Sequence, residues 1–402
     1  MGKKQLSYRK EIIKQLYFRK ALSCADVSYK IKKSLPLTTK MLNELIEDGY
    51  VVETGYAAST GGRRPQMYAL KEDIMYIVSV AMDQFVTRIA LLDMQNRYTV
   101  PVVKFELALS NNVSSIDILS DKINEFIAVS GIDENKIVGI GIGMPGFIDV
   151  RKGINYTFLD AGNKSINEYI SSKTGLPVFI DNDSRLIALA ELSFGALTKT
   201  KNAMVINIGW GVGLGLVLKE ELFRGENGFA GEFSHIPLFT NNKLCGCGKM
   251  GCLETEASLL AVIEQAMDGI KAGKLSLIKE LPINHREQAC EIVIDAAKRG
   301  DKFAVELLSN AGYSIGRGVA VLIHLLNPEI IILSGRGSLA GKIWEAPIQQ
   351  ALNEHCIPRL ATGTKIQISD LGHEAELIGA AALVMENYEK EVALTVLESA
   401  MN

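Results

Sequence analysis

Apolar residues recur at helical spacing through the first fifty positions and predict three helices. The first spans about residues 7–22, and Ser23 with Asp26 forms a capping-box-like pair at the start of the second. Pro36 suits the first position of the third helix, which ends at Gly49. The apolar faces of these helices are formed by Ile12, Ile13, Leu16, Tyr17, Val27, Ile31, Leu42, Leu45 and Ile46. Two short helices joined by a tight turn after a longer one are typical of a helix-turn-helix.

A hairpin of two short strands is predicted after the third helix. Residues 50–54 and 66–70 are rich in β-branched and aromatic side chains, and residues 57–62 are small turn-forming residues. Such a hairpin is the wing of a winged helix-turn-helix. Its tip carries Arg63 and Arg64, which could reach phosphates or a narrow minor groove.

Beyond residue 72 the pattern changes to short apolar runs separated by helical stretches. The runs that predict strands cover residues 75–81, 86–92, 136–142, 178–183, 203–208, 214–218 and 330–333. They fall into two successive blocks, which favours two α/β lobes with a cleft between them. The longest uncharged apolar run, residues 203–218, is interrupted by Asn207 and four glycines, so we expect buried strands there and no membrane span.

Charge is distributed unevenly along the 402 residues, a length that suggests two or three domains. Residues 1–70 hold 13 Lys and Arg against 6 Asp and Glu, whereas the remaining 332 residues hold 30 against 40. A basic head on an acidic body favours a polyanionic partner for the head. A solvated basic surface is the alternative that charge alone leaves open.

The third helix and the wing supply the candidate DNA contacts. Hydroxyl, amide and ammonium groups exposed near a helix N-terminus suit base edges and phosphates in the major groove. The predicted DNA-binding residues are Thr38, Thr39, Lys40, Asn43, Arg63 and Arg64. A three-helix module that binds protein instead of DNA is the alternative.

Three cysteines within eight positions, Cys245, Cys247 and Cys252, follow His235 by ten to seventeen residues. Thiolates and imidazole are the ligands that Zn²⁺ prefers, and four of them close a tetrahedral structural site. No secretory segment is apparent, so we expect a metal site in a reducing cytoplasm and not disulfides. Three unrelated buried cysteines and a stray histidine are the alternative.

Two acids flank the same stretch. Glu232 precedes His235 by three residues, and Glu254 follows Cys252 by two. Carboxylates held together on a rigid loop can accept hydrogen bonds from the hydroxyls of a polyol. Two solvated glutamates are the simpler interpretation of each acid taken alone.

The segments AGEFSHIPL and CGCGKMGCLE, residues 230–238 and 245–254, resemble the signature of the ROK family of sugar kinases and sugar-responsive repressors. Ser234 stands where that signature has glycine. The resemblance implies a structural Zn²⁺ on His235 and the three cysteines, with Glu232, His235 and Glu254 touching a sugar. It also implies an actin-like, hexokinase-type fold over residues 72–390, and the segment GGRRP at residues 61–65 resembles the wing of the family's repressors.

The resemblance extends to an Asn-Asp pair. In the family's kinases this pair binds the sugar, and its aspartate is the general base; here the matching residues are Asn182 and Asp183. Asp183 lies where a strand ends and a helix begins, a usual place for ligand-binding groups in α/β folds. An N-cap of that helix is a second use of the same carboxylate.

The phosphate-handling elements of the family's kinases are altered. Their Asp-x-Gly-x-Thr element corresponds to a stretch in which Ala81 replaces the aspartate and Asp83 and Gln84 replace glycines. A register slip of two would instead make Asp83 the ligand. Their Gly-Thr-Gly loop has Trp210 at its centre, whose bulk should crowd a phosphate, and the Ser334–Gly337 loop near the adenosine site is also changed.

These observations predict a cytoplasmic, sugar-responsive repressor that is not an enzyme. We expect residues 1–71 to form the DNA-binding domain, residues 72–190 with 376–402 the first lobe, and residues 191–375 the second lobe with the zinc loop. The predicted partners are palindromic operator DNA, a sugar or sugar phosphate, and a second copy in a homodimer or homotetramer. Two alternatives stay open: an active sugar kinase with Asp183 as catalytic base, and a DNA-binding scaffold with a vestigial cleft.

Overall fold

The computed structural model describes residues 3–58, 64–282 and 284–389. Internal contacts divide the chain into two compact units. The first ends at Asp183 and resumes at Leu377, and the second runs from Ser184 to Glu376. The finer division that separates the head from the first lobe at residue 71 stays a prediction.

The N-terminal part of the first unit forms three helices and a small antiparallel sheet. Its elements are α1 (Lys3–Arg19), β1 (Ala21–Ser23), α2 (Cys24–Lys30), α3 (Leu35–Glu47), β2 (Val51–Tyr56) and β3 (Gln66–Leu70), with the strands in the order β1-β3-β2. Ser23 caps α2 through the predicted capping box with Asp26. The first helix ends three residues earlier than expected, because residues 21–23 pair with β3.

The rest of the first unit is built on a five-stranded sheet. Its elements are β4 (Tyr76–Met82), β5 (Val86–Leu92), β6 (Val103–Glu106), α4 (Ser115–Ser130), β7 (Ile137–Met144), β8 (Ile148–Asp149), β9 (Ile154–Asn155), α5 (Ile166–Thr174) and β10 (Val178–Asn182). The sheet order is β10-β7-β4-β5-β6, with β4, β5 and β6 antiparallel and β4, β7 and β10 parallel. One face packs on α4 and α5 through a continuous apolar core.

The second unit repeats this sheet. Its first helix starts at Asp183, the last residue of the first unit. The elements are α6 (Asp183–Phe194), β11 (Asn202–Ile208), β12 (Val212–Leu218), β13 (Glu221–Phe223), α7 (Glu254–Ala257), α8 (Leu259–Lys271), α9 (Arg286–Lys298), α10 (Lys302–Leu326), β14 (Ile330–Ser334), α11 (Glu345–His355), α12 (Pro358–Ala361) and β15 (Lys365–Ile368). The order β13-β12-β11-β14-β15 again joins an antiparallel meander to two parallel strands. The last described helix, α13 (Ala375–Asn387), leads back to the first unit.

Central strands of both sheets are buried along their length, as their continuous apolar sequences predict. Every residue of β4 and β14 is buried, and only the first residue of β11 is exposed. Among the described residues, no helix combines the length and the apolar character needed to cross a bilayer.

Candidate functional site

The exposed face of α3 carries three of the residues predicted to contact DNA. Thr39, Lys40 and Asn43 are all exposed on this helix. Lys40 Nζ lies 3.9 Å from a carboxylate oxygen of Glu44. An exposed ion pair of this kind contributes little, so the ammonium group can exchange that partner for a phosphate.

Thr38 is buried, which corrects the expectation that it is exposed. Its exposed fraction is 0%, and its hydroxyl donates to the carbonyl of Ser34 at 3.0 Å. Positions 38, 41, 42 and 45 follow helical spacing, so Thr38 shares the buried face with Met41, Leu42 and Leu45. An enclosed side chain has no surface to offer a base edge, and Thr38 leaves the DNA-binding set.

The wing hairpin forms as predicted on both sides of its tip. The backbone N–H of Ala57 donates to the carbonyl of Pro65 at 3.0 Å, which extends the pairing of β2 with β3. Arg64 is exposed beside this pair. Arg63 lies outside the described residues.

Four sulfur and nitrogen ligands converge in the second unit. The candidate ligand atoms of His235, Cys245, Cys247 and Cys252 all lie within 4.8 Å of one another. The Sγ atoms of Cys247 and Cys252 are 3.6 Å apart. Tetrahedral sulfur ligands about 2.3 Å from a zinc ion would be about 3.8 Å apart, so both the spacing and the chemistry of this donor set fit a metal ion.

Backbone pairing holds these ligands in place. The segment Phe233–His235 forms one turn of 3-10 helix, and Pro237 pairs with Cys252 in an antiparallel bridge. A second bridge, between Leu244 and Met250, closes the turn on which the other two cysteines lie. The loop is therefore a pair of nested hairpins that turn the ligands inward.

Electrostatics around the thiols favour a bound cation. Burial raises the pKa of Cys245 to about 12, and the nearby Glu254 carboxylate acts in the same direction. Burial also acts to raise the pKa of Cys247, but hydrogen bonds from the Lys249 backbone and the neighbouring thiols lower it. Buried thiolates beside a carboxylate are costly unless a positive charge compensates them, and a divalent ion supplies that charge.

The two glutamates predicted to contact sugar border the same loop. Glu232 Oε2 lies 3.9 Å from His235 Nε2. Glu254 Oε1 lies 3.7 Å from Cys245 Sγ, and its Oε2 accepts from the backbone N–H of Val212 at 3.4 Å. Both carboxylates therefore sit directly beside the cysteine and histidine cluster.

Arg185 is a functional candidate that the sequence patterns did not indicate. It lies on α6, is 3% exposed, and its guanidinium donates to the carbonyl of Gly228. Burial raises the pKa of Glu232, whereas the charges of His235 and Arg185 oppose that rise. The available signal was a lone arginine among the leucines, isoleucine and alanines of an apolar helix.

Asn182 and Asp183 lie at the predicted junction of strand and helix. Asn182 ends β10, and its Nδ2 donates to the carbonyl of Gly146 at 3.4 Å. The buried Asn155 holds that turn, because its Nδ2 donates to the carbonyl of Pro145 at 2.9 Å. Asp183 begins α6, where the helix dipole stabilises a carboxylate.

Asp83 caps its own turn. Its Oδ1 accepts from the backbone N–H groups of Phe85 and Val86, each at 2.8 Å. Ala81 is buried in β4, opposite Arg88. The carboxylate of Asp83 thus occupies the donors that a glycine turn would leave for a phosphate, which argues against the register-slip alternative.

Trp210, at the centre of the Gly209–Gly211 turn of the second unit, packs against a buried arginine. The guanidinium of Arg336 stacks over Trp210, with its Cζ 4.9 Å from the ring centroid. Arg336 also pairs with Glu287 at 2.5 Å, and Trp210 and Arg336 are 5% and 7% exposed. The sequence predicted crowding by the indole, but it did not predict the stack with Arg336 or the ion pair of Arg336 with Glu287.

Residues 106–387 match a sequence profile of the ROK family. The match runs from the last residue of β6 to the last residue of α13 and covers more than half of the chain. The chain belongs to the ROK family. This ROK protein carries its helical head before the matched region.

Repressors and kinases are both related to this ROK protein. It is 29% identical to a xylose repressor of Caldicellulosiruptor bescii over 387 residues, which cover 94% of each chain. It is 34% identical to a glucokinase of Halalkalibacterium halodurans over 271 residues, which cover 67% of this chain and 82% of the glucokinase. The repressor match is long enough to include most of the head.

A solved structure matches this ROK protein over nearly its whole length. It is a ROK family transcriptional regulator described as a homologue of the E. coli MLC protein, with a TM-score of 0.77 and 27% identity. The likeness covers 97% of this chain and all of the other. The predicted mixed α/β architecture, an actin-like ROK body behind a helical head, is confirmed.

Proposed function

We propose that this ROK protein is a sugar-responsive transcriptional repressor. Its head binds operator DNA, and its body binds a sugar or sugar phosphate without phosphorylating it. The observation that carries the proposal is the match to a repressor over 94% of both chains, whereas the glucokinase match covers 67% of this chain. A DNA-binding head and a ROK body in one chain are what a sugar-controlled regulator requires.

The head would place α3 in the major groove. Thr39, Lys40 and Asn43 offer a hydroxyl, an ammonium and an amide on its exposed face, and Arg64 extends the contact from the wing. Because winged heads commonly act in pairs, the proposal includes a homodimer or homotetramer on a palindromic operator.

His235 and the three cysteines would hold Zn²⁺, which supplies the positive charge that buried thiolates need and fixes the loop. His235 Nδ1 lies 3.5 Å from Cys245 Sγ. With Nδ1 on the metal, Nε2 would carry the ring proton. That nitrogen faces Glu232 and can donate to a carboxylate or to a sugar oxygen.

The proposed sugar ligands are Asn182, Asp183, Glu232, His235 and Glu254. Carboxylates accept hydrogen bonds from hydroxyls, while the amide and the imidazole can donate to ring and hydroxyl oxygens. Arg185 supports the set by balancing the charge of Glu232 and by tying Gly228 to α6. For sugar to act as a signal, it must bind one of two conformations of the protein more tightly than the other.

Two loops whose polar or charged groups already contact other parts of the chain support the absence of phosphoryl transfer. The Asp83 carboxylate accepts from the backbone donors of its turn, and Arg336 is stacked on Trp210 of the Gly209–Gly211 turn. Phosphoryl transfer needs backbone donors and cations free to meet the nucleotide phosphates. Here the backbone donors beside Asp83 and the guanidinium of Arg336 are already bonded to other groups of the chain.

A second candidate is an ATP-dependent sugar kinase with a DNA-binding head, favoured by the 34% identity to a glucokinase. A thermal-shift screen against monosaccharides and their phosphates, followed by a coupled ADP assay with each hit, separates the two. The repressor proposal predicts a hit without ADP release. Turnover that disappears in Asp183→Asn would establish the kinase instead.

A further inference from the structure

We propose that Arg317 is a positioning residue for the metal-binding loop. It lies on α10, 65 residues or more from every proposed metal ligand in sequence. The inference rests on the proposed metal centre, and it assigns to the helix behind that centre the task of holding the loop in its ligating shape.

Arg317 contacts the segment 238–239 in two ways. Its Nη2 donates to the carbonyl of Leu238 at 2.9 Å. Its guanidinium also covers the ring of Phe239, with Cζ 4.6 Å from the ring centroid. A charged donor on a carbonyl and a cation on an aromatic face both strengthen when partly removed from water, as here.

The segment that Arg317 contacts pairs with the residues around Cys252, one of the proposed metal ligands. Pro237 bridges to Cys252, and the N–H of Phe239 donates to the carbonyl of Gly251 at 3.1 Å. A Cβ on Gly251 would lie 2.0 Å from the Phe239 carbonyl oxygen, so only glycine permits this approach. Displacing the segment would therefore displace Cys252.

The next residue of α10 contacts both ends of the loop. A Cβ on Gly318 would lie 2.7 Å from a methyl carbon of Leu253 and 3.2 Å from a ring carbon of Phe233. Phe233 opens the turn that presents His235, and Leu253 follows Cys252. Two consecutive residues of one helix thus support the two segments that bring histidine and cysteine together.

Both contacts of Arg317 depend on the planar guanidinium group of arginine. Lysine keeps the charge and one donor but cannot stack flat on the ring, and glutamine keeps a donor without the charge. We therefore expect metal affinity to decline in the order Arg317, Arg317→Lys, Arg317→Gln. Residues that orient metal ligands typically change affinity by about 10- to 100-fold, and we expect a loss of at least about tenfold for Arg317→Gln.

The test uses the full-length protein, stripped of metal and titrated with Co²⁺, whose visible absorption reports tetrahedral sulfur and nitrogen coordination. A competing chelator gives the affinity of each variant. Lys302→Gln is the matched control, because it removes an exposed positive charge from the same helix. Phe239→Leu removes the stacked ring while it leaves Arg317 in place.

The inference predicts weaker Co²⁺ binding in Arg317→Gln and Phe239→Leu, partial recovery in Arg317→Lys, and no change in Lys302→Gln. Far-ultraviolet circular dichroism of the metal-free proteins should be the same for all four variants and the parent. The inference would be overturned if Arg317→Gln and Phe239→Leu bind Co²⁺ with affinities within twofold of the parent and give the same visible spectrum. Failure of the parent itself to bind Co²⁺ would overturn the metal centre, which is a distinguishable result.

Discussion

His235 Nδ1 faces Cys245 Sγ at a distance of 3.5 Å. The opposite nitrogen of the same ring lies 3.9 Å from Glu232 Oε2. One imidazole therefore joins the cysteine cluster to the acids proposed to bind sugar. Because a ligated Nδ1 fixes both the tautomer and the orientation of the ring, metal binding and sugar binding should be coupled.

That coupling predicts the behaviour of a ligand variant. Cys247→Ser should lose the metal and should weaken sugar binding by at least about tenfold, because the loop that carries Glu232 and Glu254 loses its fixed shape. Elemental analysis and calorimetry measure the two effects. Cys356→Ser, a buried cysteine outside the cluster, is the control and should change neither. Undiminished sugar affinity in a metal-free Cys247→Ser protein would refute the coupling.

The burial of Thr38 gives a paired test of the DNA interface. Asn43→Ala should cost about 1–3 kcal/mol of binding to a selected DNA site, because it removes an exposed amide from α3. Thr38→Val keeps the shape of a buried side chain and should leave affinity nearly unchanged, since the Ser34 carbonyl still accepts from the Thr38 backbone N–H at 3.0 Å. Fluorescence anisotropy measures both. Equal losses in the two variants would contradict the proposed interface.

Substitution of the acids should separate sugar binding from folding. Glu232→Gln and Glu254→Gln each replace a charged acceptor by a neutral one, which should cost about 1.5–3 kcal/mol of sugar affinity. The thermal shift produced by the sugar should shrink accordingly. Glu264→Gln, an exposed acid on α8, serves as the control. A sugar-induced shift as large in both variants as in the parent would place the ligand elsewhere.

A buried carboxyl group predicts part of the pH dependence of stability. Glu191 is 0% exposed and accepts from the Ser369 hydroxyl and from the Ala196 N–H at 3.2 Å. Burial raises its pKa above the usual 4.5, and those hydrogen bonds oppose the rise. A raised folded-state pKa means that the protonated form favours folding, so its contribution is present below pH 4.5 and is lost as pH rises through the folded-state value.

Glu191→Gln removes this titration. The free energy of unfolding of the variant should therefore gain on that of the parent between pH 4.5 and pH 7.5, as measured by urea denaturation at several pH values. Glu264→Gln should run parallel to the parent. If Glu191→Gln also runs parallel, the carboxyl group is ionised at no cost and the account of its burial is wrong.

Local patterns carried the predictions that succeeded. The cysteines and His235 are close in sequence, so their spacing alone indicated one cluster, and the structure brings their ligand atoms within 4.8 Å. The helices of the head have an apolar periodicity, and strands such as β5 have a short apolar run, and each pattern indicates the type of element without knowledge of its partners. The prediction that Thr38 is exposed is wrong because it rests on the polar hydroxyl alone, although the helical position of Thr38 matches those of the buried Leu42 and Leu45.

Contacts between distant segments could not be predicted. Arg336 stacks on Trp210 and pairs with Glu287, yet up to 126 residues separate these three residues in the chain and nothing in their local sequence pairs them. The contact of Arg317 with the ring of Phe239 likewise joins residues that are far apart in the sequence. Such pairs depend on how helices pack on the second sheet, which a single sequence does not specify residue by residue.

The central claim is that a sugar controls DNA binding by this chain. The direct measurement is fluorescence anisotropy of a DNA fragment that the protein has selected from a random library, titrated with and without each sugar found by thermal shift. We predict that at least one such sugar changes the dissociation constant by about tenfold or more in the parent and not in Glu232→Gln. Selection of no DNA, or a DNA affinity that is the same with and without every bound sugar, would contradict the account.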